Sequence, residues 1–265
     1  MPFCSFREEK IFYRDTGSGR AVILIHGFLE SSSIWARIMR DFKKQYRLIA
    51  PDLPGHGQSS CLGYTHSMEL MADAVSAVAR HCGIRRAVVI GHSMGGYVSL
   101  ALAEQHSTLI AGLVLLQSTS SADTDQKKHD RQRAIEVVRK NRLRYLKESL
   151  RKLFNPAFPH LEQGMQWMMN LASETGSQGI TAALRGMIER PERDVIIRFG
   201  NFKTIYIAGQ HDQLLPVSRI EQEANELKAG FVKLSKSGHL AFLEEPDELV
   251  RILRSIIYRL YRDPL

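Results

Sequence analysis

Arg86-Ala87-Val88-Val89-Ile90-Gly91-His92-Ser93-Met94-Gly95-Gly96 is the stretch from which the rest of the chain can be read. The apolar, β-branched run that ends at Ile90 reads as a short buried strand. Beyond the glycines, Tyr97, Val98, Leu100, Ala101 and Leu102 are spaced as on a packed helix. The G-x-S-x-G pattern of Gly91, Ser93 and Gly95 therefore falls where a strand must bend sharply into a helix, with little side-chain bulk on either side of the serine. Such a nucleophile elbow pushes the hydroxyl outward. A serine hydroxyl is a weak nucleophile at neutral pH, so the turn predicts a base, an acid to orient it and donors for an oxyanion.

Working outward, strands and helices alternate. Residues 3–14 read as two short strands, and Ala21 to Ile25 as a buried one. The turn Gly17-Ser18-Gly19-Arg20 precedes that strand, whereas a phosphate loop would follow a strand and open a helix. His26-Gly27-Phe28-Leu29 then lies at a strand's C-terminal end, where ligands of parallel sheets bind. Tyr46 to Ala50 is the next strand, followed by a turn-rich loop whose Asp52 and His56 are read as local hydrogen-bonding groups. A helix starts at Ser67 and stops at Gly83, and Leu109 to Leu116 is another buried strand. Residues 118–198 carry helical patterns alone: Asp125 to Phe154, His160 to Ser173 and Ser177 to Glu189. Strands return at Lys203 to Ala208 and Phe231 to Leu234, and an amphipathic helix begins at Pro246. The expected division is a core of 1–118 and 199–265 with a helical cap inserted over 119–198.

With 265 residues, 44% hydrophobic and 24% charged, the composition suits one α/β domain with an insertion. Neither a signal peptide nor a membrane span is evident, so a cytoplasmic protein without integral membrane association is expected. Cys4, Cys61 and Cys82 are odd in number and lack C-x-x-C spacing, which argues for reduced thiols. The formal charge of +8 is concentrated between Lys127 and Lys152, where eleven basic side chains face three acidic ones. These alternate with apolar residues at roughly helical spacing and are read as a solvated helix face. Because the segment has almost no aromatic side chains, no nucleic-acid partner is expected.

Ser93, Asp212 and His239 each follow a strand, in the chain order Ser, Asp, His. A parallel sheet would bring all three to one edge. On these residues the chain resembles the α/β-hydrolase superfamily, a serine-nucleophile, esterase-like branch with a helical cap. The resemblance also rests on His26-Gly27-Phe28, Asp52-Leu53-Pro54-Gly55-His56-Gly57-Gln58-Ser59, Gly209-Gln210-His211-Asp212 and Ser237-Gly238-His239. It implies a mostly parallel eight-stranded sheet with helices on both faces. It further implies a catalytic triad of Ser93, His239 and Asp212, and an oxyanion held by the backbone N–H groups of Phe28 and Met94. The implied activity is hydrolysis of small-molecule carboxylic esters of short to medium acyl length, through an acyl-enzyme and without cofactor or metal.

Alternatives within the same residues are His211 as base and Asp123 or Asp125 as acid. Serine at position 93 sets aside the carboxylate-nucleophile branches. Rival activities on the same fold are a thioesterase, a perhydrolase, a carbon–carbon bond hydrolase, a cofactorless lyase, or a ligand receptor with slow turnover. The substrate pocket is expected to draw on Leu29, His92, Trp167, Met168 and Met187, the methionines offering a soft and adaptable wall. Oligomeric state leaves no signature in the sequence.

Overall fold

The computed structural model describes residues 2–262. Eight strands form one sheet: β1 (Phe3–Phe6), β2 (Glu9–Thr16), β3 (Ala21–Ile25), β4 (Arg47–Pro51), β5 (Ala87–His92), β6 (Ile110–Leu116), β7 (Thr204–Gly209) and β8 (Gly230–Leu234). Their spatial order is β1-β2-β4-β3-β5-β6-β7-β8. The β1/β2 and β2/β4 pairings are antiparallel and the remainder parallel. β3, β5 and β6 are buried along their whole length, as strands covered on both faces must be.

Among the described residues ten α-helices accompany the sheet: α1 (Ala36–Phe42), α2 (Met68–His81), α3 (Met94–Gln105), α4 (Asp125–Arg151), α5 (Leu161–Ser173), α6 (Ser177–Glu189), α7 (Asp194–Phe199), α8 (Val217–Glu226), α9 (Ala241–Glu244) and α10 (Pro246–Arg262). α2 packs beside α3, and α1 beside α10, so that each pair covers the sheet. Ser67 caps α2 by accepting from Leu70 N at 3.1 Å, which satisfies one of the free N–H groups of the first turn. In α10, Leu249, Ile252, Leu253, Ile256, Ile257 and Leu260 are all buried, the stripe expected from their spacing. α3 differs: Met94 through Ala103 are buried all round, because this helix lies between the sheet and its neighbours.

Three local features depart from the sequence reading. α7 and α9, of six and four residues, were not anticipated, being too short for a periodic pattern to show. The pattern from Asp125 to Phe154 reads as one helix, yet the chain leaves helical geometry at Asn141, with φ −156° and ψ 86°. There Asn141 Oδ1 accepts from Arg144 N at 3.0 Å, so the residue ends one helix and caps the next.

Between β6 and β7 the chain makes a helical excursion in which α4 packs against α5 and α6. It joins the core directly, since His66 N donates to Ala182 O at 3.0 Å. The C-terminal ends of β5, β7 and β8 open towards this helical layer.

Candidate active site

Ser93 sits in a left-handed conformation, φ 50° and ψ −117°, between β5 and α3. A non-glycine residue there is strained, and its surroundings must hold it. Ser93 N donates to Leu116 O at 3.0 Å, and Ser118 Oγ donates to Ser93 O at 2.8 Å. A side chain at Gly91 would strike Gly95 O, and one at Gly95 would strike Ile25 O. The glycines at both flanks are therefore required by close backbone approach.

Ser93 Oγ donates to His239 Nε2 at 2.8 Å, and His239 Nδ1 donates to Asp212 Oδ2 at 2.7 Å. Asp212 Oδ1 accepts from Leu214 N at 2.8 Å and Leu215 N at 3.0 Å. Burial pushes this carboxyl up, but the His239 ring and the two backbone donors outweigh it and hold the group below the usual carboxylate range. The loop carrying His239 is tied down by Glu244, whose Oε2 accepts from Gly238 N at 2.7 Å and Leu240 N at 3.2 Å. Glu244 belongs to α9, so the helix missed by the sequence reading is the one that anchors the histidine loop.

The loop after β3 carries a second strained residue, Leu29 at φ 64°. Among the described residues, neither Phe28 N–H nor Met94 N–H meets a protein acceptor. Met94 opens α3, where first-turn donors have no partner within the helix. Glu30 organises this loop: its Oε2 accepts from Gly27 N at 2.6 Å and from His92 Nδ1 at 2.9 Å. His92 Nε2 in turn donates to His239 O at 2.8 Å. Both ring nitrogens thus face acceptors. Burial disfavours charge on this imidazole, but Glu30 and the His239 carbonyl overcome that and raise its pKa.

A cavity of about 670 Å³ opens above these groups, with Phe28, Leu29, Ser93, Leu184, Met187 and His239 in its wall. That volume is in the range of small-molecule sites. Three expected pocket residues lie elsewhere. His92 is wholly buried beneath His239, Met168 is wholly buried among the helices, and Trp167 is 37% exposed with its ring tilted against Phe242, centroids 6.3 Å apart. In their place stands the basic segment, which was expected to be a solvated face: Lys127, Arg131, Arg133 and Lys152 line the cavity. Helical spacing alone cannot say which face of a kinked helix meets the cleft.

None of the alternative acids and bases is hydrogen-bonded to Ser93 or His239 among the described residues. Asp52 accepts from Ser32 N and Gln58 N at 2.7 and 2.9 Å. His56 Nδ1 donates to Pro54 O at 3.1 Å, and burial lowers its pKa to about 3. Asp123 is bound by Arg131 and Arg190, Asp125 opens α4 at the surface, and the His211 side chain is exposed. Among the described residues no three His, Cys, Asp or Glu side chains are grouped as a metal site, and no helix is long and apolar enough to cross a membrane.

A family model for the alpha/beta hydrolase fold matches residues 20–246. The AB hydrolase superfamily protein YisY of Bacillus subtilis is 29% identical over 257 residues, covering 90% of this chain and 92% of that protein. A non-heme haloperoxidase of Rhodococcus erythropolis is 38% identical over 119 residues, 44% of this chain and 43% of the relative. Among solved structures, a thermophilic esterase from Thermogutta terrifontis with malate bound superposes with a TM-score of 0.91 at 27% identity, covering 98% of this chain and 97% of that one.

Proposed function

Because this chain belongs to the alpha/beta hydrolase fold family, we propose that it is a serine hydrolase of small carboxylic esters. The observation that carries the reading is the unbroken series Ser93–His239–Asp212, with both hydrogen bonds within 2.8 Å. The likeness to the Thermogutta terrifontis esterase supports it. In this reading residues 119–198 form the cap over a core of 1–118 and 199–265.

Ser93 Oγ attacks the ester carbonyl carbon while its proton passes to His239 Nε2. Asp212 orients the ring and stabilises the imidazolium. The oxyanion of the tetrahedral intermediate accepts from the N–H groups of Phe28 and Met94, which are fixed before substrate arrives. When the intermediate collapses, the carbon–oxygen bond breaks and the alcohol leaves with the proton from His239. Water then attacks the acyl-enzyme, giving a proton to His239. Breakdown of this second intermediate returns the proton to Ser93 and releases the acid.

The cavity suits acyl groups of short to medium length. A panel of p-nitrophenyl esters should show kcat/KM rising from acetate to butyrate or hexanoate, by up to about 0.8 kcal/mol per buried methylene, then declining. Activity that keeps climbing to palmitate would refute the length assignment. For the mechanism, Ser93→Ala should lower kcat by about 10⁴-fold or more and abolish fluorophosphonate labelling. Substantial turnover in the purified, folded variant would overturn the reading.

A further inference from the structure

The wall opposite the triad has a charge pattern that a neutral ester would not require. Four cations line the cavity, Lys127, Arg131, Arg133 and Lys152, with Glu30, which is engaged by His92, and with Asp130 and Glu148. These last two carboxylates are already matched: Arg133 pairs with Asp130, and Arg144 Nε donates to Glu148 at 2.8 Å. Behind the wall, Asp123 is shared, accepting from Arg131 Nε at 2.5 Å and Arg190 Nη2 at 2.9 Å. One carboxylate between two guanidiniums leaves that cluster with a positive charge in excess. Among the described residues Lys127 and Lys152 form no ion pair at all.

Lys127 lies where its neighbours disfavour its charge. Burial pushes its pKa down, and the charges of Arg131, Arg219 and Arg190 add to that against the attraction of Asp123 alone. Four cations thus crowd one acid already saturated by two of them. A partly buried cation without a counter-ion is costly, and an anion entering the cavity relieves the cost. Walls of low dielectric strengthen the attraction. The same cavity has an apolar lining as well, from Leu29, Ala134, Val137, Leu184 and Met187.

We infer that the preferred ester carries an ionised carboxylate, which Lys127 and Lys152 bind while its carbon chain lies on the apolar wall and its ester carbonyl faces Ser93. This rests on the esterase reading above and narrows its substrate class. Hydrolysis of such an ester consumes one water. With the charge on the acyl side it releases an alcohol and a dicarboxylate; with the charge on the leaving side it releases a neutral-chain acid and a hydroxy acid.

The test compares kcat/KM for p-nitrophenyl butyrate with the p-nitrophenyl monoesters of succinate, glutarate and adipate, and for phenyl butyrate with the butyrate ester of 4-hydroxybenzoate. At low salt, at least one charged ester should exceed its neutral counterpart by about tenfold, mainly through KM. The preference should shrink in 0.5 M NaCl and approach unity in the Lys127→Gln/Lys152→Gln double variant. It should invert in the Lys127→Glu/Lys152→Glu double variant. Because the ratio is internal to each variant, partial loss of folded protein cancels from it. Equal or faster turnover of neutral esters in both arms would overturn the inference and leave the esterase reading standing, as would a preference that survives the double Gln variant. If no ester of either kind is cleaved, the esterase reading falls. In that case protection of Ser93 from fluorophosphonate by millimolar glutarate supports the anion site, and absence of protection refutes it.

Discussion

Glu30 is the residue on which two halves of the site converge. Its carboxylate fixes the Gly27 amide on the oxyanion loop and charges His92, and His92 holds the backbone of His239. One buried anion therefore sets the distance between the proposed oxyanion donors and the proposed base. Glu30→Gln removes the charge that keeps His92 protonated, so one of its two hydrogen bonds must be lost or reversed. We expect kcat to fall by about 10²-fold, the scale of a misplacement of about 1 Å, with KM changed far less. Steady-state kinetics on p-nitrophenyl butyrate would check this, and a loss below threefold would show that the relay positions nothing. His92 is legible in the sequence as a neighbour of the nucleophile, which suggests a place in the pocket wall and not beneath His239. Its partners lie 62 and 147 residues away, and no local pattern links them.

Among the elements, α4 illustrates how far a pattern can be trusted. Its apolar positions Ile135, Val138, Leu146 and Leu150 are buried as their spacing implies. The rotation of its charged positions is set by the break at Asn141 and by the ion pair that pins its first half to the core. That pair is Arg131 with Asp123, and the same carboxylate also holds Arg190; the side chains of Asp123 and Arg190 are only 1% and 3% exposed. Arg190 also lies over the Tyr97 ring, 3.8 Å from its centroid. Asp123→Asn would leave two guanidiniums facing each other with no anion between them. The expected cost is about 3 kcal/mol, or a Tm lower by roughly 5 to 12 °C for a chain of this size. Differential scanning calorimetry would decide, and an unchanged Tm would show that the pair contributes no net stability.

For the molecule as a whole, buried histidines set the response to acid. His26, His56 and His66 are kept neutral by burial, His56 titrating at about 3 and His66 at about 4. The unfolded chain binds these protons at about pH 6.5, so it gains protons before the folded state does, and stability falls as pH drops below that value. His92 acts in the opposite sense, its raised pKa favouring the folded state in acid, but it is one group against three. Below about pH 4 the carboxylates of Asp123, Asp212 and of Glu223, which accepts from Thr119, Ser120 and Tyr206, add to the loss, since each is held below its ordinary range in the fold despite burial. Urea midpoints should therefore decline from pH 8 through 6 to 5 with little change in slope. A flat midpoint over that interval would contradict the assignment of neutral buried histidines.

What the sequence by itself determined is whatever short-range sterics and periodicity dictate. Short apolar, β-branched runs placed β3 to β8, and the flanking glycines of the elbow located Ser93, because a left-handed serine tolerates no bulk at either side. The order Ser, Asp, His at strand ends then brought three distant residues to one edge, since parallel strands share a direction. Tertiary structure alone decided the rest. Glu30 reaches His92 only after β3 and β5 pair, and α9 becomes a helix only where Glu244 finds the His239 loop. The basic face of α4 turns to the cavity where Arg131 is tied to Asp123, which Arg190 holds in turn. Such contacts are chosen by packing and desolvation between segments far apart in the chain, for which no local arrangement of residues carries a signal.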